Sequence, residues 1–67
     1  MQLLLNGEPV DTSGATIAEI LMERGLDPGR SGIAVAVNGE VIPRTAWIIH
    51  PLDDGDEMEV ITAMQGG

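Results

Sequence analysis

The chain has 67 residues and a formal net charge of −8, with eleven acidic side chains against three arginines and no lysine, so its field repels phosphate backbones and anionic membranes, which argues against both as partners. It has no cysteine and one histidine, His50, which excludes disulfides, thiolate metal sites and a thiol nucleophile and leaves no material for a catalytic triad or a histidine-rich metal centre. A protein this short buries only about 60% of its unfolded surface and has no depth for a cleft, so we expect one domain that is not an enzyme and holds neither metal nor cofactor.

Met1-Gln2-Leu3-Leu4-Leu5 reads as a strand, and Asn6-Gly7 after it is the strongest short signal for a type I′ hairpin. Glu8-Pro9-Val10-Asp11 returns antiparallel and belongs at the sheet edge, because Pro9 has no N–H for a second ladder. Alternation turns Met1, Leu3 and Leu5 toward the core and Leu4 away from it.

A loop follows, and then Thr16-Ile17-Ala18-Glu19 matches a capping box, so a helix is expected to start here with Ile17, Ile20 and Leu21 on its apolar face. Arg24 suits the last turn and Gly25 the left-handed position just beyond it, with Leu26 closing back on the helix. Glu19 and Glu23 are read as solvent-facing, without a catalytic role.

The segment from Asp27 to Gly32 is rich in breakers and too central to separate two domains. A second hairpin comes next, Ile33 to Val37, Asn38-Gly39, and Glu40-Val41-Ile42, in which the small residues Ala34 and Ala36 are expected to lie close beneath the helix or another strand. Between Pro43 and Asp53 the pattern is irregular, suited to a short strand or a single helical turn crossing the sheet end. Trp47, the only aromatic residue, fits there as a lid on the core, His50 as a surface or capping histidine, and Leu52 as an inward anchor.

Asp54-Gly55-Asp56 then turns the backbone into a last strand, where Met58 and Val60 alternate with Glu57 and Glu59. With a long connection behind it, this strand is expected to pair in parallel with the first one, in the middle of the sheet. The fold class is therefore α+β, a mixed four- to five-stranded sheet with one helix packed on one face, spanning residues 1–63. After Ala63 the pattern dissolves into Met64-Gln65-Gly66-Gly67, expected to be a flexible tail over residues 64–67 whose glycines let a backbone thread a narrow channel. Leu4, Ile61 and Ala63 fall by alternation on the helix-free face and are candidate partner contacts.

The ββαββ order ending in Gly-Gly resembles the β-grasp, ubiquitin-like fold. The stretches Val35-Ala36-Val37-Asn38-Gly39-Glu40-Val41-Ile42-Pro43-Arg44, Leu52-Asp53-Asp54-Gly55-Asp56 and Gly66-Gly67 resemble the ThiS family of sulfur carriers. The resemblance implies a cosubstrate of thiamine (thiazole) biosynthesis. A ThiF-like adenylating enzyme consumes ATP to activate the Gly67 carboxylate, a cysteine desulfurase or other donor supplies sulfur, and the thiocarboxylate at Gly67 passes it to a ThiG-like thiazole synthase. Met64, Gln65 and Gly66 would then thread the partners' channels. The terminal Gly-Gly and Asp-Gly-Asp also fit the MoaD-like small subunit of molybdopterin synthase, and a ubiquitin-like protein modifier is the remaining alternative. The sequence shows no signal peptide and no apolar run of membrane length, so the cytoplasm is the expected location.

Overall fold

The computed structural model describes residues 1–63, and the tail expectations for Met64, Gln65, Gly66 and Gly67 lie outside the described residues. The strands are β1 (Gln2–Leu5), β2 (Glu8–Asp11), β3 (Ile33–Val37), β4 (Glu40–Ile42) and β5 (Glu57–Thr62), with one helix, α1 (Ile17–Glu23), and a 3-10 turn at Arg44–Ala46. They form a five-stranded sheet in the order β2-β1-β5-β3-β4. The two hairpins and the β3–β5 pair are antiparallel and β1 pairs with β5 in parallel, so the last strand occupies the centre as expected.

Both hairpins turn on Asn-Gly. Asn6 and Gly7 adopt φ of 50° and 84°, and Asn38 and Gly39 adopt 51° and 83°, the left-handed pair that a type I′ turn requires. Helix α1 starts on its capping box, where Thr16 Oγ1 accepts from Glu19 N–H and the Glu19 carboxylate accepts from Thr16 N–H. It ends in a Schellman motif, with Leu26 N–H donating to Leu21 C=O at 2.8 Å and Gly25 N–H to Met22 C=O at 3.0 Å, and Gly25 at φ 81°.

The core lies between the helix and one sheet face. Ile17, Ile20 and Leu21 of α1 meet Leu3, Val35, Val37 and Met58, and Trp47 and Leu52 close the end. Burying each large side chain contributes about 1.5–3 kcal/mol, and this single cluster is the domain's main source of stability. Trp47 is 3% exposed and its indole N–H donates to Ile42 C=O at 2.9 Å, so it is the expected lid, fixed by a polar handle.

Three local expectations are corrected. Ala34 and Ala36 do not lie beneath the helix, because Ile33, Val35 and Val37 take that side and supply the bulk that α1 needs, leaving the alanines on the open face. Met1 remains exposed at the start of β1 rather than joining the core. His50 is not a surface side chain: it is half-buried, its Nδ1 has no partner among the described residues, and its backbone carbonyl, not its imidazole, receives the Ile17 N–H at the helix start. Among the described residues, no helix is long and apolar enough to cross a membrane.

Candidate functional site

The candidate site is the end of β5 and what surrounds it, since this strand leads into the residues singled out in the sequence. Its entry is built by the aspartates. Asp53 N–H donates to the Asp56 carboxylate at 2.8 Å and Asp56 N–H to Asp53 C=O at 3.0 Å, while Asp54 accepts from Gln2 N–H at 2.7 Å and Gly55 N–H donates to Gln2 C=O at 2.7 Å. The Asp53 N–H, and after it the Asn38 carboxamide and the charge of His50, hold the Asp56 carboxyl below its ordinary range. These acids therefore shape a turn.

Two asparagines flank the strand itself. Asn38 donates through its backbone N–H to Glu57 C=O at 2.7 Å, and its carboxamide accepts from Glu57 N–H at 3.0 Å and donates to Asp56 at 3.1 Å. On the other side, the Asn6 carboxamide accepts from Val60 N–H at 2.8 Å and donates to Val60 C=O at 3.2 Å. The residues that make the turns thus also grip β5. Sequence reading misses this role, and a repeated Asn-Gly beside a late strand is the signal that could indicate it. At the far end, Ala63 N–H donates to Gly32 C=O at 2.6 Å, tying the last described residue to the start of β3.

On the helix-free face, Leu4 stands opposite Glu57 and Ile61 opposite Ala34, with Ala36 opposite both Glu59 and Val41. Leu4 and Ile61 share this face but are not neighbours. Four positions of β5 separate Glu57 from Ile61, roughly 13 Å at strand spacing, with Glu59 between them. Ile61 has Ala34 directly opposite it and Ala36 diagonally across, and Val41 lies one strand further out beside Ala36, with Ile61 63% and Val41 74% exposed. Ala63 is exposed on the same side by alternation. No arginine lies on these strands, and Glu57 and Glu59 on the central strand put negative charge in the middle of the face, between Leu4 and Ile61. Among the described residues, no cluster of three or more histidine or acidic side chains is placed to hold a metal.

Residues 3–67 match the ThiS family model, a span that runs from the second residue of β1 through β5 and continues to Gly67. The chain belongs to the ThiS family. That membership accounts for the sheet order with a parallel central strand, the β-grasp arrangement. The sulfur carrier protein ThiS of Thermus thermophilus is 43% identical over 63 residues, covering 94% of this chain and 95% of that one. The sulfur carrier protein ThiS of Escherichia coli is 34% identical over 68 residues and the match covers 100% of both. A thiazole synthase of Paramagnetospirillum magneticum contains a ThiS-like stretch 32% identical to the whole chain, which makes up 20% of that protein. Among solved structures, the thiamine biosynthesis protein ThiS of Geobacter metallireducens superposes with a TM-score of 0.80 at 33% identity over 100% of both chains.

Proposed function

We propose that this ThiS-family protein is a sulfur carrier of thiamine biosynthesis and that the sulfur rides on the carboxyl group of Gly67. The observation that carries this reading is the family match through residue 67, which includes both glycines, together with the end-to-end alignment with a sulfur carrier.

The chemistry is acyl activation by a partner. A carboxylate oxygen of Gly67 attacks the α-phosphorus of ATP in a ThiF-like adenylating enzyme, pyrophosphate leaves, and an acyl-adenylate results. Hydrosulfide attacks the carbonyl carbon, AMP departs with the C–O bond electrons, and a proton is lost to leave the thiocarboxylate. If a desulfurase persulfide is the attacking group, an acyl disulfide forms, and a thiol must supply two electrons to release the thiocarboxylate. The sulfur then passes to a ThiG-like thiazole synthase. ATP is consumed by the partner, and the carrier is a cosubstrate that holds no cofactor. With no cysteine in the sequence, no side-chain thiol competes for this role.

What the domain contributes is a fixed base for the reacting end. Strand β5 has neighbours on both sides in the sheet and is gripped by Asn6 and Asn38. Ile61 and Ala63, with Ala34 opposite Ile61, offer an apolar contact next to the acidic side chains of Glu57 and Glu59, and Leu4 lies on their other side, which suits a partner surface that pairs apolar contacts with basic side chains. The test is ATP–pyrophosphate exchange by a ThiF-type enzyme. We expect exchange that depends on the carrier and vanishes when Gly66 and Gly67 are deleted; exchange that survives the deletion contradicts the assignment of Gly67.

A further inference from the structure

Strand β5 is covered on its β1 side as far as Val60, and there the cover stops. In the β3–β5 ladder Asn38 bonds to Glu57 and Gly32 to Ala63, so the alternating N–H and C=O groups of Met58, Val60 and Thr62 point away from β3. Met58 C=O receives the Asn6 N–H at 2.9 Å, and both Val60 groups are taken by the Asn6 carboxamide. The N–H and C=O of Thr62 have no partner among the described residues.

Beside this short open edge is a groove of about 280 Å³ lined by Leu5, Leu21, Leu26, Val60, Arg24 and Thr62, among others. Leu5, Leu26 and Val60 are aliphatic residues that pack on the core and remain half-buried. Arg24, at the helix C-cap, forms no ion pair among the described residues, and it is the one charged residue lining the groove. At about 280 Å³ the groove lies at the small end of the ~300–1,000 Å³ range of small-molecule sites, a size that one inserted side group fills.

We propose that an extended segment of a partner protein adds to the sheet here. It pairs its backbone with Thr62, places one apolar residue in the groove between Leu5, Leu26 and Val60, and sets a carboxylate against Arg24. Three features select this occupant: an N–H and C=O of Thr62 in strand geometry that have no partner among the described residues, an apolar slot beside them, and an arginine at its rim without an ion pair among those residues, in a protein of net charge −8. The proposal rests on the sulfur-carrier reading in one respect, that the partner is the ThiF-like adenylating enzyme.

The experiment is an NMR titration of the isotope-labelled full-length protein with a ThiF-type enzyme in the absence of ATP. We expect the methyl signals of Leu5, Leu26 and Val60 to shift and the Thr62 amide to exchange at least about tenfold more slowly in the complex. Thr62→Pro removes the outward N–H and the threonine side chain at the groove while keeping the backbone groups that pair with β3, so it should weaken binding about five- to tenfold, whereas Thr62→Val, which keeps the N–H, should bind like the parent; Arg24→Glu should weaken binding to a degree similar to Thr62→Pro. Binding with unmoved groove methyls and an unchanged Thr62 exchange rate overturns the proposal and leaves the carrier reading standing. Folded Thr62→Pro and Arg24→Glu proteins that bind like the parent overturn it equally. Failure of an active enzyme to bind the protein at all overturns both.

Discussion

The carboxamide of Asn6 satisfies both backbone groups of Val60, at 2.8 and 3.2 Å, across a sequence separation of 54. Beyond Leu5 there is no further β1 residue to pair with β5, and the carboxamide replaces the missing rung. Replacing Asn6 by Gly keeps the positive φ and removes only this rung, so we expect a loss of about 1–3 kcal/mol. Asn6→Ala adds the cost of a left-handed backbone, about 1 kcal/mol more. Urea titration of the two variants checks the order, and equal stability of Asn6→Gly and the parent would refute the rung.

The elements are legible in the sequence because each is announced locally. Asn-Gly fixes both hairpins, Thr16 and Glu19 fix the helix start, and Gly25 with Leu26 fixes its end. The bonds from Asn6 to Val60 and from Asn38 to Glu57 are invisible to that kind of reading, since they exist only once the last strand has been inserted between the hairpins. The alanines of β3 mislead for a different reason. Small size suggests close approach, whereas Ile33, Val35 and Val37 fill the space under α1 and the alanines merely face outward. Alternation puts Leu4 and Ile61 on the correct face but says nothing about distance along it.

Glu23 illustrates a role that periodicity hides. It faces solvent, yet its carboxylate accepts from Thr12 Oγ1 at 2.8 Å, Gly14 N–H at 3.1 Å and Ser13 Oγ at 3.4 Å, fastening the β2–α1 loop to the end of the helix. The Thr12 hydroxyl, followed by the backbone donors of the loop, lowers its pKa. A lowered folded-state pKa gives stability that is complete above the ordinary glutamate value, about 4.3, and is lost as the pH falls through the folded-state value. The difference in melting temperature between the parent and Glu23→Gln should therefore be constant near neutrality and shrink on the acid side. A gap that widens on acidification would contradict this sign. Taking the difference also cancels the relief of repulsion that both proteins share as their remaining acids are neutralised.

Trp47 and Arg44 form a second fastening. The Arg44 guanidinium lies 4.6 Å from the centre of the Trp47 ring and donates to Pro28 C=O and Arg30 C=O, joining the loop before β3 to the 3-10 turn. Lysine cannot reproduce a planar fork that stacks and donates twice, so Arg44→Lys should cost about as much as Arg44→Ala, roughly 1 kcal/mol. Because Trp47 is the only aromatic residue, its emission reports unfolding of this region without interference. Full retention of stability in Arg44→Lys would show that the fork is not used.

Gly66→Val tests threading apart from folding. Val adds a branched side group outside the described core, so chemical stability should change by less than about 0.5 kcal/mol. Activation by the partner should nevertheless be abolished, because a Cβ-branched residue narrows the path that two glycines leave open. Normal activation of a folded Gly66→Val protein would refute the threading argument.

The most direct measurement of the central claim is the intact mass of the protein after incubation with ATP, sulfide and a ThiF-type enzyme. We expect a gain equal to one oxygen replaced by one sulfur, located to Gly67 by fragmentation and absent when the two glycines are deleted. An unchanged mass in the presence of an enzyme active on another carrier, or sulfur found anywhere other than Gly67, would contradict the claim.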